Sequence, residues 1–207
     1  MKNYKLMILL IVLFAFNCIS LKKEFPEKKF YIIEPDKTKI VKRANKIDKL
    51  KINKLKISPF FEGKELVYRK NDVNYETDFY NEFLIYPASN ITEQVITWLI
   101  SSGFAKYSIN RAAGLDSTYI LDGNINLLYG DFKSEKPKAI LEIEFYLFDH
   151  SSNVLFKKLY HTETELEKKE PAYLIKGWNL GLTKIILNLE DDLRKVTLKK
   201  EAIKESL

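Results

Sequence analysis

Eleven apolar residues run unbroken from Leu6 to Phe16, and two positions later stands Cys18, the only cysteine in 207 residues. Lys2 and Lys5 precede the run, and Lys22 and Lys23 close it. A basic start, a short apolar stretch and a small residue, Ala15, near its end are the marks of a secretory signal. A helix that crosses a bilayer needs roughly 20 apolar residues, so this stretch is too short to span. An uncleaved anchor and a plain signal with an incidental thiol are the alternatives on the residues alone. A single cysteine placed where the apolar run ends argues against the second. The folded domain must then be built from the residues after Cys18, without a disulfide.

The residues LFAFNC resemble the bacterial lipobox, which ends in an obligatory cysteine. Ala15 stands at −3, while Phe16 and Asn17 depart from the common pattern of a small residue followed by Gly or Ala. The resemblance implies that 1–17 is a lipoprotein signal peptide, that cleavage precedes Cys18, and that Cys18 carries a diacylglycerol thioether and usually an acylated amine. Two or three acyl chains, at about 0.8 kcal/mol per buried CH₂, give lasting attachment where one chain is marginal. About 190 remaining residues suffice for one core. Residues 18–29 read as a lipidated tether: charged, broken by Pro26 and without periodicity. Losing Lys2 and Lys5 lowers the net charge from +6 to +4. Basic and acidic residues are interspersed, which describes a solvated surface, with mild attraction to anionic head groups near the tether. No basic stripe or stacking platform points to nucleic acid.

Along the remaining chain, Phe30–Ile33 (FYII) reads as a first strand, stopped by Glu34-Pro35. Asp36 to Asp48 is a polar loop or weak helix. In LKINKLKISPF, Leu50 and Ile52 share one parity while Leu55 and Ile57 share the other; the slip at Asn53-Lys54 predicts a β-bulge. Glu65–Arg69 and Val73–Asp78 read as two strands about Lys70-Asn71-Asp72. Pro87 reads as a stop. Asn90 and Glu93 form a capping-box pattern, which with Ile91, Val95, Trp98 and Leu99 predicts a helix over Ile91–Ser102 ending at Gly103. Phe104–Ile109 is a short strand. Thr118–Tyr129, with Tyr119, Leu121, Ile125, Leu127 and Tyr129 inward, then Ala139–Phe148 and Val154–Tyr160, form an antiparallel meander with one dry face. A long helix starts at Pro171 and runs to about Leu198, striped by Leu174, Trp178, Leu182, Ile185, Ile186, Leu189 and Leu193. Gly177 and Gly181 on that helix imply close backbone approach to the sheet.

The residues carry no catalytic pattern. His150 lies in the turn Asp149–Asn153, where neighbouring Asp, His and Ser side chains cannot adopt triad geometry. His161 reads as exposed. No histidine pair at ligand spacing and no phosphate-cradling glycine loop is present, so no metal or cofactor is expected. Glu142 and Glu144 sit on the wet side of a strand. The segment FYNEFLIYP is unusual: Phe79, Tyr80, Phe83 and Tyr86 exceed what one core strand needs, which makes them candidate partner contacts.

FYII near the tether, the run LKINKLKISPFFEGKELVYRKNDVNYETDFYNEFLIYP, the helix after it, TYILDGNINLLYGDF and the closing helix with GWNLG together resemble the ABC-type transport auxiliary lipoproteins, over about Phe30 to Val196. Tyr68-Arg69, Tyr75, Phe79 and Tyr80 fit the family register; the tryptophan usual near the segment's end is replaced around Phe83, and Pro87 comes late. The resemblance implies a non-enzymatic envelope lipoprotein that partners an MCE-domain protein and ABC transporter components of a lipid transport system, held to the membrane by its lipid anchor, with room for a homo-oligomer. It implies one domain over 30–198, followed by a polar tail at 199–207. The expected fold is α+β: a mixed or antiparallel sheet with two main helices packed on one face, as in the N-terminal domain of the Tol-system propeller protein. Ile19 after the cysteine favours the outer membrane, facing the periplasm. The competing reading is a surface-exposed lipoprotein that binds host or environmental ligands.

Overall fold

The computed structural model describes residues 27–109 and 119–198. Cys18, the signal segment, most of the tether and the tail from residue 199 lie outside the described residues. In chain order the elements are β1 (Lys29–Tyr31), β2 (Ile47–Ile52), β3 (Lys56–Ile57), β4 (Glu65–Arg69), β5 (Tyr75–Phe83), α1 (Pro87–Ser101), β6 (Ala105–Ser108), β7 (Tyr119–Asp131), β8 (Lys138–Asp149), β9 (Val154–Glu165) and α2 (Pro171–Lys195).

Alternating apolar and polar residues make β7, β8 and β9 a long antiparallel meander, with Leu121 opposite Leu147 and Ile143 opposite Tyr160. The other edge of β7 carries three short strands laid end to end, all parallel to it. Leu50 of β2 lies opposite Tyr119, Ile57 of β3 opposite Ile125, and Tyr68 of β4 opposite Gly130. Beyond β2 comes β6; beyond β4 come β5 and then β1. The described residues thus form one nine-stranded mixed sheet that branches past β7.

The predicted slip is present. Ile52 faces Leu121 and Lys56 faces Asn124, so three residues (53–55) oppose two (122 and 123). This extra residue lets Leu50, Ile52 and Leu55 all reach the core. A second irregularity corrects the inward set expected for β7. Ile125 pairs with Ile143 but Leu127 pairs with Glu142, leaving Asn126 unmatched. Parity flips there: Leu128, 1% exposed, takes the inward place expected of Leu127. Tyr129 turns to the opposite side of the sheet, where it stacks on Phe61.

Both helices cover one face. Trp178 is fully buried, and its Nε1 donates to the Ile140 carbonyl at 3.0 Å. A methyl group at Gly177 would sit 2.7 Å from Ala139 Cβ, and one at Gly181 2.6 Å from Thr162 Oγ1. The two glycines therefore let α2 lie against β8 and β9, as their spacing predicts.

The start of α1 differs from the expectation. Pro87, read as a stop, is the first helical residue, a place where its missing N–H costs nothing. Asn90 sits inside the helix, and instead of capping it, its Oδ1 accepts from the Ile33 N–H at 3.0 Å, tying β1's exit to α1. The end agrees with the sequence. Gly103 has φ +74°, its N–H donates to Ile100 and that of Phe104 to Leu99, a Schellman closure. The architecture is a single α+β domain, with a mixed sheet and two helices on one face.

Candidate functional site

The helix-free face of the sheet has two halves of different character. Across β8 and β9 it is wet. Glu142 accepts from Asn126 Nδ2 at 3.2 Å and pairs with His161 Nδ1 at 3.0 Å. Glu144 pairs with Lys157 Nζ at 3.2 Å and accepts from the Tyr146 hydroxyl. These are the solvated charges expected on an uncovered face.

Across β4, β5 and the end of β7 the same face is dry. Pro59 sets the backbone for a single 3₁₀ turn, Pro59–Phe61, which folds over β7. The turn is held by Ser58 N–H donating to Ile125 and Phe61 N–H donating to Ser58, each at 2.9 Å. The Phe61 ring stacks on Tyr129 at 5.9 Å, and Tyr75 meets the same ring edge-on at 5.5 Å. Phe61, Tyr75, Val67 and Leu127 line a groove of about 460 Å³, with Ser58, Thr77 and Asn126 as its other polar residues. Phe60 stands at its lip, 83% exposed.

A paired charge lies against the Tyr129 ring. The Arg69 guanidinium lies 5.4 Å from the centre of the Tyr129 ring and holds Asp131 through both Nε (3.3 Å) and Nη2. The carboxylate's bond raises the guanidinium pKa further. Burial works to raise the Asp131 carboxyl, but the Arg69 and Lys133 bonds and their charges hold it below its ordinary value. Burial pushes the Tyr129 phenol up, keeping it neutral. On the other side of the Pro59–Phe61 turn is a second concavity, about 510 Å³, lined by Lys54, Lys56, Ile57, Glu62, Tyr86 and Ala88.

The FYNEF segment belongs to β5 and is bulged. Asp78 lies opposite Leu66 and Glu82 opposite Glu65, so Phe79, Tyr80 and Asn81 have no partners across the β4 ladder. Asp78 organises the bulge, accepting from Tyr80 N–H (2.9 Å), Asn81 N–H (3.1 Å) and the Tyr68 hydroxyl (2.8 Å). Burial and this carboxylate drive the Tyr68 pKa far up. The bulge throws Phe79 outward, 66% exposed, with Tyr80 edge-on at 5.2 Å and Lys28 Nζ 4.3 Å above its ring. Tyr86 is also exposed, under Lys64 at 5.1 Å.

Phe83 is a correction. It is 3% exposed and packs 5.6 Å from Trp178, so it is a core residue and no partner contact. Its parity is set by the end of the bulge, where β5 resumes facing the helices. Sequence reasoning missed the groove, although Pro59-Phe60-Phe61 carried a signal: two adjacent aromatics in a short turn cannot both enter one core. Among the described residues, no cluster of His, Cys, Asp and Glu could hold a metal ion, and no helix is long and apolar enough to cross a membrane.

No family model matches the chain, and no curated protein matches it by sequence. Solved structures do match its fold. A protein from Xanthomonas campestris, XCC0632, described under the DUF330 family model, is similar over 79% of this chain and 90% of its own, with a TM-score of 0.62 at 12% identity. An uncharacterized protein is similar over 81% of this chain and 99% of its own, with a TM-score of 0.65 at 15% identity. At such identities the likeness is one of fold, and the fold of this chain is that of the DUF330 structure.

Proposed function

We propose that this protein is a non-enzymatic, lipid-anchored component of the bacterial envelope that serves an MCE/ABC-type lipid transport system as its auxiliary lipoprotein. It docks the transport conduit at the membrane. The reading rests on the lipobox-like LFAFNC and on the sequence resemblance over Phe30–Val196. The structural observation that carries it is the Phe79–Tyr80 pair, raised on the β5 bulge beside β1, the strand that the tether enters. Nothing in the helix packing needs these rings outside, and exposed Phe and Tyr are the residue types enriched at protein contacts. The eleven steps from Cys18 to Lys29 reach at most about 40 Å when extended. Anchoring at Cys18 therefore keeps this edge within that distance of the bilayer, a constraint that folding does not need and a docked conduit does. The partners are an MCE-domain protein and its ABC transporter components, with self-association of the domain open to the same test. The membrane is the outer one, on its periplasmic side.

The experiment has two parts. Labelled palmitate enters the wild-type chain and not Cys18→Ala; label in the mutant overturns the anchor. The tagged wild-type chain co-purifies with the MCE-domain protein, and Phe79→Ser with Tyr80→Ser loses it. Cleavage of the chain by protease added to intact cells, with no MCE protein recovered, would favour the surface-ligand reading instead.

A further inference from the structure

We infer that the groove under the Pro59–Phe61 turn is itself a lipid site, which takes the alkyl chain of an anionic amphiphile and sets its head group by Lys54 and Lys56. This rests on the transport reading and deepens it, since it gives the auxiliary domain a lipid ligand of its own.

Three observations choose the occupant. The groove is apolar where a sheet's open face should be polar, and the rest of that face, with Glu142, Glu144, Lys157 and His161, is polar. Its size, about 460 Å³, falls in the range of roughly 300–1,000 Å³ that encloses small ligands. Its walls offer little to a peptide. The strands around it, β4, β5 and β7, are paired with one another, so no free ladder edge is presented for strand addition. Asn126 Nδ2 is already given to Glu142. An alkyl chain asks for no such bonds.

Charge complementarity supplies the head group. The concavity across the turn carries Lys54 and Lys56 against one acidic residue, Glu62. Lys64 adds a third cation beside it, over the Tyr86 ring. Ser58 and Phe61 line the groove while Ile57 and Glu62 line the basic concavity, so the segment 57–62 borders both. An apolar slot next to a cationic hollow matches a molecule with a greasy end and a negative end. The rings are already in place: Phe61, Tyr75 and Tyr129 brace one another, so binding needs little reordering.

The test uses the purified full-length chain and a dansyl-labelled fatty acid, whose emission rises in an apolar site. One equivalent is expected to bind, with lysophosphatidylglycerol displacing it better than lysophosphatidylcholine. Thr77→Trp, which fills the groove from an exposed position, and Phe60→Ser, at the exposed lip, should each weaken binding, Thr77→Trp by about tenfold or more. Lys54→Glu with Lys56→Glu should weaken lysophosphatidylglycerol and the anionic probe but not lysophosphatidylcholine. Probe binding unchanged in both groove variants overturns the site, as it would if the probe sat on the apolar N-terminal run. Equal displacement by the two lysolipids overturns the head-group assignment. A dimer that Phe60→Ser dissolves, with no effect of any variant on the probe, overturns the inference in favour of a second copy covering the groove. A chain that takes palmitate at Cys18 and recovers its MCE partner but binds no probe loses this inference and keeps the transport reading.

Discussion

Trp98 on α1 donates its indole N–H to Glu190 on α2 at 3.1 Å, a direct polar bridge between the two helices. Glu190 is 4% exposed and also accepts from Arg194 Nε at 2.8 Å. Arg194 in turn donates to the carbonyls of Ala44 (3.2 Å) and Ser102 (2.9 Å). One carboxylate thus joins both helices to the loop before β2. Removing one partner of a buried ion pair leaves the other charge uncompensated. Glu190→Ala should lower unfolding free energy by about 3–5 kcal/mol. Glu190→Gln, which keeps an acceptor for Trp98, should lower it by less. Urea denaturation followed by tryptophan fluorescence checks the order of the two.

The close approach of α2 to the sheet makes a second prediction. A methyl group at Gly177 would lie 2.5 Å from Leu166 Cδ2 and 2.7 Å from Ala139 Cβ. In a free helix Gly→Ala stabilises by about 1 kcal/mol, whereas overpacking a filled core costs about 1–3 kcal/mol. Ala139 cannot move without its strand, so packing wins. Gly177→Ala should lower the melting temperature. A rise would mean that α2 stands off the sheet.

Phe79 and Phe83 are four residues apart with opposite surroundings. Phe83→Ala empties a place in the core beside Trp178 and should cost about 3–5 kcal/mol. Phe79→Ser should stay within about 0.5 kcal/mol of wild type while abolishing partner recovery. Paired denaturation curves and pull-downs separate the roles; a large stability loss from Phe79→Ser would place that ring in the core.

Two buried phenols set the alkaline limit. Tyr68 donates to Asp78 at 2.8 Å and Tyr160 to Asp192 at 2.9 Å. Burial, then the bond to a carboxylate, raises both pKa values well above the ordinary 10.0. A raised folded-state pKa gives stability that is complete below the unfolded value and is lost as pH rises toward the folded one. Above pH about 10, stability should fall by up to about 1.4 kcal/mol per pH unit for each tyrosine. Phenolate absorbance beyond that of exposed tyrosines such as Tyr75, Tyr86 and Tyr107 should appear together with unfolding. Tyr68→Phe with Tyr160→Phe should flatten the decline; an unchanged slope would assign it to the lysines.

Local spacing made part of this fold legible in the sequence, and non-local pairing hid the rest. The meander, the two helix stripes, the slip at Asn53-Lys54, the Gly103 terminus and the Gly177/Gly181 contact all come from spacing along the chain. Asn90 misled because a side chain that caps a helix and one that receives a distant backbone N–H are the same residue type. Its partner, Ile33, lies 57 residues away. The parity of Leu127 failed because the extra residue at Asn126 has no signature of its own. Phe83 groups with its exposed neighbours in the sequence because the bulge separating them is held by Asp78, whose role exists only once Tyr68 has been placed. The groove depends on β4 and β7 meeting in parallel, a pairing that turn chemistry cannot announce.

The arrangement along β7 has a consequence for how the chain comes together. β2, β3 and β4 are too short to persist alone, and they share no ladder with one another; each is held by the strand that begins at Tyr119. Before that strand emerges, β2 can pair only with β6, and β4 only with β5 and through it β1, and no described strand joins the two groups. Long-range parallel pairing is slow to form, so the first half of the domain travels with open strand edges until the second half arrives. The two groups become one sheet only when β7 is free to move as far as residue 131.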